Sequence, residues 1–290
     1  MNQYQKVIKY VAMAFAVFLT VFIIGSIVSF SGIMFRIFNF GSDIIDNRNN
    51  NGDVMSEDAI TRTFDDVDKI SINHGAGSLT IKSSDSDKIT VDVAGEDSDS
   101  YKVRTSGRTL NIEQKGHVFN IFNFGWNRNM GTKIIVSIPK GMKLEDLDVD
   151  AGAGKITIED IIVNDFSLDA GAGSVTISRV EAYEADINGG AGEVIFSDVV
   201  FYDSDISCGV GRVKFEGKLL NKNDISAGVG ELDLIIHGKR DDYNMKIEKG
   251  LGEIRIDGQK YSEVNIRQND AKHSLDIEGG LGSINVEFVD

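Results

Sequence analysis

The sequence predicts an all-β protein: a parallel β-solenoid with rungs of roughly 19 residues and Gly-x-Gly corners, behind an irregular introductory β module and one N-terminal transmembrane helix. Three observations carry that prediction. Five triplets, Gly152-Ala153-Gly154, Gly171-Ala172-Gly173, Gly190-Ala191-Gly192, Gly209-Val210-Gly211 and Gly228-Val229-Gly230, recur at intervals of 19 residues. The apolar residues between them alternate with period two and hold the same 19-residue register, which is the pattern of stacked strands. Glycine is abundant (31 residues) and proline nearly absent (1), a balance that suits a glycine-cornered sheet better than a helical protein.

Within the repeat, Val149, Leu168, Ile187, Ile206 and Ile225 share one inward column, and Ala151, Ala170, Gly189, Cys208 and Ala227 share the next. After each triplet the apolar parity switches, to Ile156 and Ile158, Val175 and Ile177, Val194 and Phe196, Val213 and Phe215, Leu232 and Leu234. Such a switch at two glycines reads as a corner where the chain bends and a Cβ would obstruct close backbone approach. One rung is then two short strands joined by a glycine corner, unable to bury its apolar face except against copies of itself. Looser copies follow at Gly250-Leu251-Gly252 and Gly280-Leu281-Gly282, and one precedes at Gly75-Ala76-Gly77. Residues on neighbouring rungs lie about 4.8 Å apart. Glu193, Arg212 and Glu231 should therefore pair by alternating sign.

Taken in order, residues 1–40 read as a cytoplasmic stub and a transmembrane helix. From Tyr10 to Phe35 there are 26 residues without a charge, more than the roughly 20 that cross a bilayer. Lys6 and Lys9 precede the run, which puts the N-terminus in the cytoplasm and the C-terminal domain outside the cell membrane. A cleaved signal peptide is the competing reading, with Ser29-Phe30-Ser31 as a small-x-small cleavage site. Residues 41–62 are a polar, asparagine-rich linker. Residues 63–145 form the introductory module, with short alternating runs such as Ile89, Val91, Val93 and Ile134, Val136, Ile138 between Ser/Asp/Gly turns. The 77-residue gap between the first two triplets is close to four periods, so a continuous irregular coil is also open. Residues 146–290 are the solenoid repeats.

Three of the 30 basic residues and none of the 45 acidic ones lie in residues 1–40, which leaves 27 against 45, or −18, for the rest. That surface repels nucleic acid and anionic lipid. Cys208 is the one cysteine, so the chain has neither an intramolecular disulfide nor a cysteine metal cluster.

The runs DKISINHGAGSLTI (68–81), SDKITVDV (86–93), TLNIEQ (109–114) and KIIVSIPKGMKLEDLDVDAGAGKITIEDI (133–161) resemble the bacterial putative adhesin family, a β-strand-repeat domain of unknown function often found behind an N-terminal membrane helix. The resemblance spans residues 63–290 and implies a cell-envelope role without agreed catalytic residues. The chain departs from the family in carrying Ala, Val or Leu between the glycines, where many members have shorter polar steps.

A phosphate loop needs a helix after the glycines, and here every triplet runs into a strand. A glycine-rich calcium solenoid needs an aspartate where Gly189-Gly190-Ala191-Gly192 and Gly279-Gly280-Leu281-Gly282 are followed by apolar residues. Asp146, Asp148 and Asp150 have calcium-loop spacing, but Ala151 replaces the required glycine and Thr157 the bidentate glutamate. The histidines His74, His117, His237 and His273 share no spacing with a nucleophile. The expectation is therefore no metal, no cofactor and no catalysis. The chain reads as a membrane-anchored extracytoplasmic binding, adhesion or envelope scaffolding module, whose partners are cell-wall material, another envelope protein or itself. The alternative is a surface glycan-processing enzyme on a solenoid frame, which would need paired carboxylates beside aromatic platforms. One stretch, residues 116–131, gathers Phe119, Phe122, Phe124 and Trp126. It reads as a hairpin over an open end of the solenoid, as a contact with the outer leaflet, or as a partner patch.

Overall fold

The computed structural model describes residues 60–95, 98–115 and 131–289. The apolar run of residues 10–35, the linker as far as residue 59, and the loop carrying Phe119, Phe122, Phe124 and Trp126 lie outside the described residues. Apart from two three-residue 3-10 turns, every regular element described is a strand, and all twelve strands belong to one open sheet.

The sheet is built around a parallel ladder. Strand β2 (Lys69–Ser84) lies beside the start of the 77-residue β7 (Lys143–Leu219), with Gly77 opposite Gly154 and Ile72 opposite Val149. Strand β7 then passes over itself. A Cβ placed on Gly171 would run into the carbonyl of Gly152, one on Gly190 into that of Gly171, and one on Gly209 into that of Gly190. Its last turn pairs in parallel with β8 (Lys222–His237) at a 19-residue offset, Ile206 opposite Ile225 and Gly211 opposite Gly230.

Chain order then breaks. Strand β9 (Tyr243–Ile256) does not pair with β8. The final strand, β12 (His273–Val289), lies between them, with Gly282 opposite Gly230 on one side and Gly252 on the other. The triplets therefore stack in the order 75, 152, 171, 190, 209, 228, 280, 250. Asn223, fully buried, ties this insertion together. It accepts from Ser204 Oγ at 2.8 Å, donates to Leu220 O at 2.9 Å and reaches Ser274 O of β12 at 3.4 Å.

Both ends of the ladder turn antiparallel. At the first rung the two halves of β2 have different neighbours. Its N-terminal half pairs with β5 (Thr109–Gln114), which β4 (Tyr101–Ser106) joins antiparallel. Its C-terminal half pairs with β6 (Thr132–Pro139), followed antiparallel by β3 (Ile89–Ala94) and β1 (Ile60–Phe64). At the last rung, β10 (Gln259–Tyr261) and β11 (Val264–Ile266) fold back on the two halves of β9. The introductory stretch thus supplies a rung of the ladder itself.

The core explains the repeat length. Buried positions alternate through Leu147, Val149 and Ala151, switch parity at the triplet to Ile156 and Ile158, switch again to Ile161 and Val163, and again to Phe166 and Leu168. A rung therefore has three sides where the sequence pattern gave two. The second corner falls at Asp160, Arg179 and Asp198, which are 19 residues apart and share left-handed φ values of 59°, 52° and 55°. Bulk is balanced between rungs. Phe166 is followed in its column by Ala185 and Ser204, while Ala182 is followed by Phe201, which packs against Phe196 and Phe215 with ring centroids 5.6–6.2 Å apart. Close packing of this kind leaves each rung shaped for its neighbours.

Candidate interaction surface

A strand whose alternate residues fill a core must present the others to solvent, and stacking turns those others into columns. The side preceding the glycine corner is acidic. In its central column Asp186, Asp205, Asp224 and Asp276 follow one another, with Lys246 last. Nearer the corner, Ser207, Ser226, Glu278 and Glu248 form a second column. Over the rungs of β8, β12 and β9 these side chains line an open depression of about 290 Å³. Lys222 pairs with Asp224 at 2.6 Å and Lys246 with Glu248 at 2.9 Å, while Asp205, Asp276 and Glu278 make no salt bridge among the described residues. Partial burial, then Asp186 and Asp224 alongside, push the Asp205 carboxyl above its ordinary range. Burial, then Asp165, does the same at Asp146.

The side following the corner has its charges matched. Arg212 reaches Glu231 at 2.9 Å and Glu193 at 4.0 Å, and Lys214 reaches Glu193 at 3.6 Å. Glu253 pairs with Lys260 and, at 3.0 Å, with Arg255, and the Lys260 hydrogen bond draws its carboxyl below the usual range.

Between these two sides runs the corner itself. The second glycine of each triplet has φ between about +136° and +151°, and its Cβ would strike the carbonyl of the equivalent glycine on the adjacent rung, or at Gly77 that of Thr132. The middle residue is the one side chain the corner carries. In spatial order the middle residues are Ala76, Ala153, Ala172, Ala191, Val210, Val229, Leu281 and Leu251. They grow from methyl to isobutyl along the ladder. Val210 is 56% exposed, Val229 43%, Leu281 49% and Leu251 74%.

Three further features complete the surface. On the third side Tyr183 and Tyr202 stack with centroids 4.7 Å apart and planes 5° from parallel, and Lys143 Nζ lies 4.3 Å over the Tyr183 ring. These rings face one another up the ladder, so their flat surfaces are not turned outward as a sugar platform requires. His74 stands opposite Ala151, 2% exposed, with Nδ1 hydrogen-bonded to Tyr101 Oη at 2.6 Å and Nε2 without a partner among the described residues, beside a cavity of about 10 Å³. Burial draws its pKa down to about 4. Cys208 is buried on the same inner line and its thiol is pushed up by burial. Among the described residues no group of three His, Cys, Asp or Glu side chains could hold a metal ion.

The sequence pattern gave the positions of the corner glycines, but neither the acidic columns nor the apolar ridge beside them. The signal was present in the triplets themselves, in the change of their middle residue from Ala through Val to Leu.

An all-β ladder of glycine-cornered rungs in one open sheet defines a β-strand-repeat protein. The chain belongs to the Toastrack DUF4097 family, whose model matches residues 67–283. Among solved structures it is similar to a putative cell adhesion protein of Clostridium sporogenes, at 18% identity and a TM-score of 0.38, over 80% of this chain and 99% of that one. A putative adhesin of Parabacteroides distasonis has 13% identity and a TM-score of 0.38 over 81% and 98% of the two chains. A putative lipid binding protein of the same species has 17% identity and a TM-score of 0.37 over 81% and 98%. No curated protein matches the chain.

Proposed function

We propose that the protein is a membrane-anchored, extracytoplasmic β-solenoid acting as a non-catalytic binding, adhesion or scaffolding module of the cell envelope. The 26-residue uncharged run after Lys6 and Lys9 anchors it, with the N-terminus cytoplasmic and residues 41–290 outside. The observation that carries the reading is the stacking of outward side chains into columns along the ladder, Asp205, Asp224 and Asp276 among them. A periodic surface of this kind suits an extended partner, contacted rung by rung, better than a small substrate held at one point. Cell-wall material, a neighbouring envelope protein or a second copy are the candidate partners.

The stacking of Tyr183 on Tyr202 supports this reading over glycan processing, because sugar-binding aromatic rings must offer a free face. The test is protease treatment of intact cells followed by capture from envelope extract with the full chain. Removal of the domain by external protease, together with retention of a defined wall polymer or protein, is the expected result. Survival of the domain until lysis would overturn the orientation, and hydrolysis of a wall polymer by the purified chain would overturn the non-catalytic assignment.

A further inference from the structure

The corner column should be uniform if its only task were to turn the chain. Alanine turns the corner at four rungs, and at three of them, around Ala153, Ala172 and Ala191, the flanking glycines meet the carbonyls of the equivalent glycines next door, as they do at the later rungs. At the C-terminal rungs the middle residue becomes Val210, Val229, Leu281 and Leu251, each two-fifths or more exposed. Those side chains contribute little to the core, and exposing Leu where Ala suffices is unfavourable in water. The four are consecutive in space, so they form one apolar strip of three intervals, about 14 Å long at the rung spacing.

What can cover the strip follows from its flanks. On one flank Arg212, Lys214, Arg255 and Lys260 match the acids Glu193, Glu231 and Glu253. The other flank keeps a surplus of acid after Lys222 has paired with Asp224 and Lys246 with Glu248. Glu278 and Glu248 stand three residues before Leu281 and Leu251, about 10 Å along the strand, and behind them Asp205 and Asp276 lack a salt bridge among the described residues. The apolar strip and the acidic depression therefore run side by side over the same rungs.

An anionic lipid surface is repelled by such a flank. An α-helix laid along the strip meets it in step, since one helical turn advances 5.4 Å and one rung about 4.8 Å. Apolar residues at every turn of that helix would sit between successive middle residues, and lysine or arginine on its adjoining face would reach the depression.

We propose that the corner strip Val210-Val229-Leu281-Leu251, with the acidic depression beside it, is a docking surface for a cationic amphipathic helix of a partner protein. This deepens the binding-module reading and rests on it. Apolar contact supplies the anchor, and the surplus carboxylates Asp205, Asp276 and Glu278, which make no salt bridge among the described residues, supply orientation and specificity.

The probe is a fluorescent helical peptide of about 18 residues made only of leucine and lysine in an amphipathic pattern, titrated against the full chain in detergent micelles. Its controls are the same composition with the pattern scrambled, and the same pattern with glutamate for lysine. The patterned lysine peptide should bind and both controls should fail. L251A with L281A restores the residue found at other corners, so it should leave the thermal midpoint unchanged and weaken binding on the order of tenfold. Asp205→Asn with Asp276→Asn and Glu278→Gln should weaken it similarly and remove most of its salt dependence. The proposal fails if the scrambled peptide binds equally well, or if the leucine substitutions change nothing, because either result marks a non-specific charge effect. It fails as well if the leucines are needed for binding to vesicles of neutral lipid or for self-association, and not for binding the peptide. Capture of envelope material unaffected by either set of substitutions would overturn the docking surface while leaving the binding-module reading intact.

Discussion

At the scale of single residues, burial makes His74 sensitive to acid. Its folded pKa of about 4 lies below the ordinary value of 6.5, because burial disfavours the imidazolium. The unfolded chain then binds a proton that the folded chain refuses, so stability is lost as pH falls from about 6.5 to about 4. The loss reaches about 3 kcal/mol at the acid end of that window. Denaturant titrations at neutral pH and near pH 4 should show this difference in the wild type, and His74→Gln should remove most of it. Glycine costs are equally specific. Gly173 has φ +137° and its Cβ would overlap the carbonyl of Gly154, so Gly173→Ala should destabilise by at least about 3 kcal/mol. Gly107 has φ +62° with nothing near its Cβ, and Gly107→Ala should cost only about 1 kcal/mol. Thermal unfolding of the two variants side by side separates the steric from the conformational component.

At the scale of elements, β12 closes the ladder. It contributes Leu275, Ile277, Ile284 and Val286 to the core and satisfies the facing edges of both β8 and β9. A chain lacking residues 273–289 should lose cooperative unfolding and aggregate through those two open edges. A synthetic 273–289 peptide added during refolding should restore a monomeric species by gel filtration. This insertion was not legible in the sequence, because the triplets at 250 and 280 look alike and period alone cannot say which stacks on 228. The inward columns were legible, from Val149 to Ile225 and from Ile156 to Leu232, since alternation and burial express the same geometry. The second corner was missed because Asp160, Arg179 and Asp198 are not glycines. Its trace was the 19-residue recurrence of Ile161, Val180 and Val199 just after them. Asp and Arg hold the left-handed conformation there while Arg179 grips Asp160 through two hydrogen bonds of 2.6 and 3.1 Å.

At the scale of the whole molecule, part of the surplus of acid is stacked in columns along the ladder. Raised carboxyls such as Asp205 and Asp146 favour the folded state below their ordinary range, and that contribution is lost as pH rises through their folded values. At neutral pH the aspartate column is therefore a standing repulsion. Asp205→Asn should raise stability by about 0.5 kcal/mol at low salt, and the gain should shrink once salt screens the column. Calorimetry at two ionic strengths reads both effects. The placement of β12 has one more consequence, which concerns the order in which the chain is made. Strand β9 leaves the ribosome before the strand that must separate it from β8, so the far edge of β8 stays open until residues 273–289 have emerged. Any route that folds the chain from its N-terminus therefore carries an open β8 edge until the last strand arrives, and the ladder is complete only when β12 has slid between two strands that precede it.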